Sequence, residues 1–317
     1  MRSGDAATDP PGSLVVARGL TKRFGDFTAV DGIDFDVRAG EVFGFLGPNG
    51  AGKTSTMRMI AAVSPLTDGT LQVLGRDPDA DGAEIRARLG VVPQENNLDE
   101  ELSVADNLYI YGRYFGMPRS QVRARIPELL EFAQLTERAD DKVTVLSGGM
   151  KRRLTIARSL INDPELVILD EPTTGLDPQA RHLVWERLYR LKQRGATLII
   201  TTHYMDEAEQ LCDRLVVMDK ARIVAEGSPR DLIERYSTRE VLEIRVTEAV
   251  RATMDGRLEG IADRVEELPD RLLLYVPDGE RALEAVHERQ VPLESALVRR
   301  ASLEDVFLRL TGRTLVE

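Results

Sequence analysis

The chain has 317 residues, of which 42% are hydrophobic and 30% charged, so it can form one large globular domain and a smaller one. Its 42 Lys and Arg against 53 Asp and Glu give a net charge of −11, which disfavours a protein that tracks nucleic-acid phosphates. No apolar run approaches the roughly 20 residues that cross a bilayer, and the single Cys212 excludes an internal disulfide, which together indicate a cytosolic protein. The N-terminal segment 1–13 has no apolar core of the signal-peptide kind and is predicted to be a disordered tail.

Residues 14–230 alternate short apolar runs with helical stretches, which predicts an α/β domain with a largely parallel sheet covered by helices. Three runs are apolar without alternation, as expected for central strands buried on both faces: EVFGFL (41–46), ELVILD (165–170) and ATLIITT (196–202). Each run is followed at once by polar residues. Because ligands in open α/β sheets bind beyond the carboxyl ends of the strands, we expect these polar residues to share one edge.

The first polar cluster is a glycine-rich segment, GPNGAGKT (47–54), which fits G-x-x-x-x-G-K-[ST] between a strand and a helix. The glycines let successive backbone N–H groups face one anion, and the following helix adds its positive end. Lys53 can reach the β- and γ-phosphates of a nucleotide, and the Thr54 hydroxyl can ligate magnesium. The strand and helix context disfavours the alternative, a glycine-rich turn that binds nothing.

Two carboxylates and a histidine follow the other two strands. Asp170 ends a buried run, where a carboxylate is costly unless it is paired or bound to a cation such as magnesium. Glu171 is expected on the other side of the strand, where it could orient and deprotonate an attacking water. The alternative is a solvent-facing Asp-Glu pair. His203 ends the third strand and is expected near the γ-phosphate, whereas His182 and His287 are interpreted as structural.

The region from 103 to about 163 is predicted to be mostly helical. In the segment LSGGM (146–150), Ser147 is well placed to cap a helix, and the glycines after it expose backbone N–H groups beside the helix's positive end. The segment fits either a capped helix after a tight turn or a second phosphate site. Composition shifts after residue 229, and residues 237–317 are predicted to form a small α/β domain with a regulatory or dimerisation role.

These motifs together resemble the nucleotide-binding subunits of ATP-binding-cassette (ABC) transporters. The segment 47–54 matches the family's Walker A motif, LSGGM its signature and LVILDEP (166–172) its Walker B motif. Gln94 in VVPQEN matches the glutamine loop, GLD (175–177) the D-loop and His203 the switch histidine. Phe24 stands where the family usually has a tyrosine that stacks on adenine. Met150 stands where glutamine is commoner in the family. This difference puts in doubt only the contact that the glutamine side chain would make.

The resemblance implies a P-loop NTPase cassette with a mostly parallel sheet and antiparallel β and helical subdomains, using ATP and Mg²⁺. It assigns nucleotide contacts to Phe24, Gly47, Pro48, Asn49, Gly50, Ala51, Gly52, Lys53, Thr54, Ser55, Ser147, Gly148, Gly149 and Asp177. It places Thr54, Gln94 and Asp170 at the magnesium ion. Glu171, His203 and Gln94 are assigned to catalysis.

Three further segments resemble bacterial drug-resistance and nodulation-type exporter ATPases: LDEELSVADNLYIYGRYFGM (98–117), LSGGMKRRL (146–154) and LEDVFLRLTG (303–312). Such proteins carry a similar C-terminal appendage and work with a separately encoded membrane permease. The resemblance implies a head-to-tail homodimer at the cytoplasmic face of the membrane, without nucleic acid, in which Ser147 and Gly149 of one subunit face Lys53 of the other.

The stretch between Gln94 and Ser147 is expected to dock the permease, although its aromatics could instead be helix core: Tyr109, Tyr111, Tyr114 and Phe115. The expected cargo is a drug, a lipid or a polyketide-like compound. An importer ATPase and a soluble cassette ATPase acting on DNA or ribosomes are the alternatives. The soluble alternative is disfavoured by the acidic charge and by the lack of a long coiled coil or a second cassette in the sequence. A non-catalytic regulatory binder is disfavoured by the intact Glu171.

Overall fold

The computed structural model describes residues 12–251 and 256–312, which include every predicted site residue. The chain divides into two units, one ending at Glu226 and one comprising Gly227–Glu317. The predicted tail lies outside the described residues as far as residue 11, but Ser13 already belongs to the first strand. The sequence predicts a first domain that extends to residue 230. Instead the helix Pro229–Tyr236 belongs to the second unit, because it packs against that unit's last helix.

The strands as far as Gly227 form two sheets. They are β1 (Ser13–Phe24), β2 (Phe27–Arg38), β3 (Val42–Leu46), β4 (Asp68–Val73), β5 (Leu89–Val92), β6 (Leu166–Asp170), β7 (Thr197–Thr202), β8 (Arg214–Asp219) and β9 (Arg222–Gly227). A three-stranded antiparallel sheet has the order β2-β1-β4, and a six-stranded sheet has the order β5-β6-β7-β3-β8-β9.

The three predicted central strands are neighbours in the six-stranded sheet. They are β6, β7 and β3, and the pairs β5–β6, β6–β7, β7–β3 and β3–β8 are all parallel. Every residue of β3 and β7 is buried, and β6 is buried until Asp170 at its end. The non-alternating apolar pattern therefore correctly predicted strands that are covered on both faces, and their carboxyl ends meet at one edge.

The helices of the first unit include the predicted helical region. They are α1 (Lys53–Ile60), α2 (Gly82–Ala87), α3 (Val104–Tyr114), α4 (Arg119–Ala133), α5 (Gly148–Ser159), α6 (Pro178–Gln193) and α7 (Met205–Leu211). Short 3₁₀ turns span Thr136–Arg138 and Val143–Val145. Helices α3, α4 and α5 pack on one another. In the described part of the chain, no helix has both the length and the apolar character needed to cross a lipid bilayer.

From about residue 237 the sequence pattern predicts a strand, a helix, two strands, a helix, a strand and a final helix. The second unit has this order, preceded by one helix. Its elements are α8 (Pro229–Tyr236), β10 (Glu240–Arg245), α9 (Glu248–Arg251), β11 (Arg264–Glu267), β12 (Leu272–Val276), α10 (Gly279–Glu288), β13 (Ser295–Arg300) and α11 (Leu303–Thr311). The strands form an antiparallel sheet of order β11-β12-β10-β13. Leu242 and Val286 belong to one core cluster of this unit, whereas Val241 and Leu308 belong to another, as the period-two alternation of β10 requires.

Candidate functional site

The glycine-rich loop at 47–54 connects β3 to α1 at the carboxyl edge of the sheet, and two of its glycines are required by packing. A Cβ at Gly47 would lie 2.3 Å from the carbonyl oxygen of Met218, and a Cβ at Gly52 would lie 2.4 Å from that of Ala29. Gly52 also has a φ of +106°, which side chains strongly disfavour. The loop can therefore curl tightly into the N-terminus of α1, where free N–H groups favour an anion.

Lys53 is the first residue of α1 and is buried beneath the loop. Its Nζ donates hydrogen bonds to the carbonyl oxygens of Gly47 at 2.7 Å and Pro48 at 3.1 Å. The same atom lies 3.5 Å from Glu171 Oε1. Burial lowers the pKa of Lys53, and the negative charge of Glu171 opposes that effect. The ammonium is thus held where the loop could present it to a phosphate.

Asp170 ends β6 and lies between two hydroxyls. Thr201 Oγ1 donates to Asp170 Oδ1 at 2.6 Å, and Thr54 Oγ1 lies 3.4 Å from the same oxygen. The sequence reasoning missed Thr201, although it is directly opposite Asp170 in the parallel register of β6 and β7. The sequence signal that could have identified Thr201 is its position one residue before the end of the third apolar run.

Glu171 adopts a left-handed backbone conformation, with a φ of +45°. Its N–H donates to Thr201 Oγ1 at 2.9 Å, so the chain turns here instead of continuing as a strand. The side chains of Glu171 and Asp170 are therefore separated by this turn. They are not separated by the alternation of side chains along a strand, which the sequence predicts. Non-glycine residues rarely adopt this conformation, and such strain clusters at functional sites.

The Glu171 carboxylate is buried among polar groups. Oε1 lies 3.4 Å from His203 Nδ1, and Oε2 accepts hydrogen bonds from Thr174 Oγ1 at 3.1 Å and Gln94 Nε2 at 3.5 Å. These contacts lower the pKa of Glu171 to about 2, chiefly through His203 and then Lys53, although burial acts in the opposite direction. The structure thus brings six predicted site residues together: Gln94, Lys53, Thr54, Asp170, Glu171 and His203.

Four other predicted residues lie outside this group: Ser147, Gly149, Asp177 and Phe24. Ser147 caps α5 by accepting from the N–H of Met150 at 3.3 Å, and Asp177 caps α6 by accepting from the N–H of Ala180 at 2.9 Å. Ser147, Gly149 and Asp177 line a shared cavity of about 170 Å³. No hydrogen bond or ion pair of the described residues joins this cluster to Lys53. Phe24, at the end of β1, is half-exposed and lies under Lys22 Nζ, 4.8 Å from its ring centre.

Comparison with known proteins agrees with this geometry. Residues 30–174 match the family model of the ABC transporter, and residues 251–312 match that of the nodulation factor export protein NodI, C-terminal domain. A Nod factor export ATP-binding protein I of Ralstonia nicotianae is 48% identical over 316 residues, which cover 96% of this chain and 98% of that protein. The protein of the same name from Burkholderia lata is 50% identical, with coverage of 94% and 97%. The chain belongs to the ABC transporter family.

Solved ABC structures also resemble the chain. An ATP-binding subunit of an ABC transporter is 28% identical with a TM-score of 0.64, covering 70% of this chain and 93% of that one. A cassette in a dimeric post-hydrolysis state bound to ADP and Pi is 25% identical with a TM-score of 0.61, covering 68% and 98%. The fold is therefore a P-loop NTPase ABC cassette, and this ABC protein is an ATPase that uses ATP with Mg²⁺.

The residues present fit that cofactor pair. The described part of the chain contains no group of three or more His, Cys, Asp and Glu side chains that could hold a metal alone. The Thr54 hydroxyl and the Asp170 carboxylate instead offer a few hard oxygen atoms, and Gln94 can add its amide oxygen. This set suits Mg²⁺, which is usually bound by one or two carboxylates together with substrate phosphates and water. The tight glycine loop and Lys53 suit the phosphates themselves.

Proposed function

We propose that this ABC protein is the ATPase subunit that energises an exporter, with Lys53 and the loop 47–54 binding the phosphates. Thr54, Gln94 and Asp170 bind magnesium, and Glu171 acts as the general base with His203 beside it. The observation that carries these roles is the buried, ionised Glu171 carboxylate, which contacts Lys53, His203 and Gln94 one residue after Asp170. The relatives named for Nod factor export support the direction of transport.

The same contacts suggest how ATP binding prepares the base. Lys53 must exchange its contacts with the loop carbonyls and Glu171 for the phosphates. Glu171 then loses part of the positive charge that lowers its pKa, so its proton affinity rises towards the range useful for general-base catalysis. His203 remains next to the carboxylate and can hold it in place. When magnesium is bound, it supplies charge neutralisation for the phosphates.

We further propose that the protein works as a homodimer. Ser147, Gly149 and Asp177 lie together in a cluster that no described contact joins to Lys53. The signature helix α5 presents a capped N-terminus with two glycines, which suits an anion just as α1 does. A head-to-tail pair would bring the two N-termini to one nucleotide, with Ser147 supplied by one subunit and Lys53 by its partner. Phe24 would stack on the adenine.

The permease-docking surface that we propose is a cavity of about 560 Å³ in the first unit. Its walls include Tyr111 and Phe115 as well as Gln94 and Asp170. A permease segment that binds in this cavity would therefore lie against residues of the proposed catalytic site. None of the four aromatics between Tyr109 and Phe115 is fully buried, which favours the docking interpretation over helix core. Tyr114, which precedes Phe115 in the sequence, is 81% exposed. Docking here would hold the chain at the cytoplasmic face of the membrane.

A co-purification experiment tests the exporter role. The chain is co-expressed with a candidate permease, chosen as a membrane protein with about six predicted helices from the same genome, and both are extracted from membranes in detergent. We expect the two to co-purify and the membrane protein to stimulate ATP hydrolysis. Tyr114→Arg should abolish this association, whereas Tyr189→Arg, which alters a half-exposed tyrosine on α6, should not. Association with ribosomes or DNA instead would support the soluble alternative. ATP-dependent accumulation of cargo in right-side-out vesicles would support an importer.

A further inference from the structure

A buried arginine on the signature helix joins the two catalytic segments of the site. Arg152 lies five residues after Ser147 in α5 and is only 4% exposed. Two segments contact its guanidinium from the ends of neighbouring strands. The first is the glutamine loop after β5, and the second is the turn after β6 that holds the catalytic carboxylates.

Each hydrogen bond of this guanidinium goes to a backbone carbonyl. Nε donates to Pro172 O at 2.7 Å, and Nη2 donates to Asp170 O at 3.1 Å and Glu171 O at 3.2 Å. Nη1 donates to Pro93 O and, at 3.3 Å, to Gln94 O. An arginine has five N–H donors in a rigid fork, and these contacts use all five.

The burial of the Arg152 guanidinium costs free energy, so stability alone does not explain it. In the described part of the chain no carboxylate lies within ion-pair distance of Arg152. Its buried charge is compensated by the five carbonyl groups in contact with it and, from further away, by the charges of Glu207 and Asp170. Burial lowers the pKa of Arg152 to about 10, which still leaves it protonated at neutral pH. Arg153, the next residue, is also buried, but it donates to Ala133 O and Gln134 Oε1 at the end of α4, away from both catalytic segments.

We propose that Arg152 is a positioning residue for ATP hydrolysis, which ties the Gln94 loop and the Asp170–Pro172 turn to the helix that carries Ser147. This inference rests on the proposed roles of Gln94, Glu171 and Ser147. In the proposed dimer, Ser147 faces the partner's nucleotide. A displacement of α5 at one nucleotide is therefore passed through Arg152 to the base and the glutamine loop of the other.

The first test measures backbone hydrogen exchange in the nucleotide-free full chain. Arg152→Lys keeps the positive charge, but the lysine ammonium has only three N–H donors, all on one nitrogen atom. It therefore cannot bridge both segments. We expect faster exchange in peptides that cover 93–97 and 170–176. The matched control Arg153→Lys should leave those peptides unchanged and loosen the end of α4 instead. Unchanged exchange in both segments of Arg152→Lys would overturn the proposal.

The second test separates positioning from binding and from stability. Arg152→Lys should lower kcat about 10- to 100-fold, the scale of a small misplacement of catalytic groups, while the Kd for a fluorescent ATP analogue changes less than about threefold. Arg153→Lys should lower the thermal midpoint by a similar amount. It is a control for stability only, because Arg153 lines the same cavity as Ser147 and Asp177. If Arg152→Lys does not fold, Arg152→Gln, which removes the buried charge, is measured in the same way.

A double-mutant cycle that combines Arg152→Lys with Gln94→Ala tests whether the loss of kcat arises through the glutamine loop. If Arg152 acts through the glutamine loop, the combined variant should be little slower than the slower single variant. Losses in kcat that multiply would overturn the glutamine-loop part of the proposal and leave the Asp170–Pro172 turn as the route. A wild-type chain that does not hydrolyse ATP would contradict the proposed function, whereas the exchange experiment would still decide whether Arg152 holds the two segments.

Discussion

Glu171→Gln removes the charge of the proposed base and keeps its shape, so it isolates the electrostatics of the site. Glu171 Oε1 lies 3.5 Å from Lys53 Nζ and 3.4 Å from His203 Nδ1. A neutral amide lacks these attractions. We therefore expect a first unit that is less stable at neutral pH, and we expect hydrolysis to slow by the roughly 10²–10⁴-fold typical of a lost general base.

The loss of stability can be estimated from the pKa of Glu171, which falls from 4.5 to about 2 in the folded chain. At 1.36 kcal/mol for each pH unit, the ionised state gains about 3 kcal/mol on folding. The carboxylate is only 8% exposed, so solvent screening reduces this little. Because the folded pKa is lowered, this stability is fully present above pH 4.5 and is lost as the pH falls towards 2. At pH 3.5 about 1.4 kcal/mol of it should already be lost.

Urea unfolding of the wild type and the variant measures this difference. Trp185 is the only tryptophan in the sequence and lies in the first unit, where its indole donates to Glu207, so its fluorescence reports on that unit. We expect the variant to be about 2–3 kcal/mol less stable at pH 7.5 and about 1.4 kcal/mol closer to the wild type at pH 3.5.

Glu165→Gln is the matched control, since Glu165 pairs with Arg88 at a half-exposed position at the start of β6. It should change stability by less than about 1 kcal/mol and leave hydrolysis unchanged. Equal unfolding free energies of wild type and Glu171→Gln at pH 7.5 would refute the electrostatic account of the site. Hydrolysis at the wild-type rate would show that another group is the base.

Two further predictions concern the phosphate loop and the second unit. Lys53→Ala should weaken ATP binding about 10- to 100-fold and abolish nearly all hydrolysis, because a charged hydrogen-bond donor to the phosphates is lost; an unchanged nucleotide titration and turnover would disprove the phosphate-loop assignment. A chain truncated after Gly227 should still bind ATP but show altered dimerisation or permease coupling, since all residues assigned to ATP precede it. A folded truncation that cannot bind ATP would contradict that division of labour.

The sequence predicted the central sheet because the relevant signals are local. Apolar runs without alternation identify β3, β6 and β7, and the polar residues after each run point to the shared edge. The glycines of the phosphate loop and the cap at Ser147 are also local signals. Family resemblance added Gln94 and Asp177, whose surroundings carry no distinctive local pattern.

Other features depend on tertiary contacts and could not be predicted. The left-handed turn at Glu171 is stabilised by Thr201 on a neighbouring strand, and the five carbonyls around Arg152 come from two separate loops. The predicted domain boundary at residue 230 falls inside α8, because the sequence does not show the partner against which α8 packs. That partner is α11, near the end of the chain.

The central claim is that each ATP is bound between Lys53 of one subunit and Ser147 of the other, and mixed dimers test it most directly. One protomer carries Lys53→Ala and its partner carries Ser147→Arg, both on a Glu171→Gln background that retains bound ATP. One composite site then contains both defects, and the other has an intact Lys53 and an intact Ser147. Random pairing of equal amounts should make about half of the dimers mixed.

Trapped ATP is measured for each variant alone and for the mixture, with mixed dimers verified by two different affinity tags. We predict no trapping by either variant alone, because each homodimer has two damaged sites. We predict trapping in the mixture, at no more than one ATP for each mixed dimer. A mixture that contains demonstrated mixed dimers and still traps no ATP would contradict the shared site.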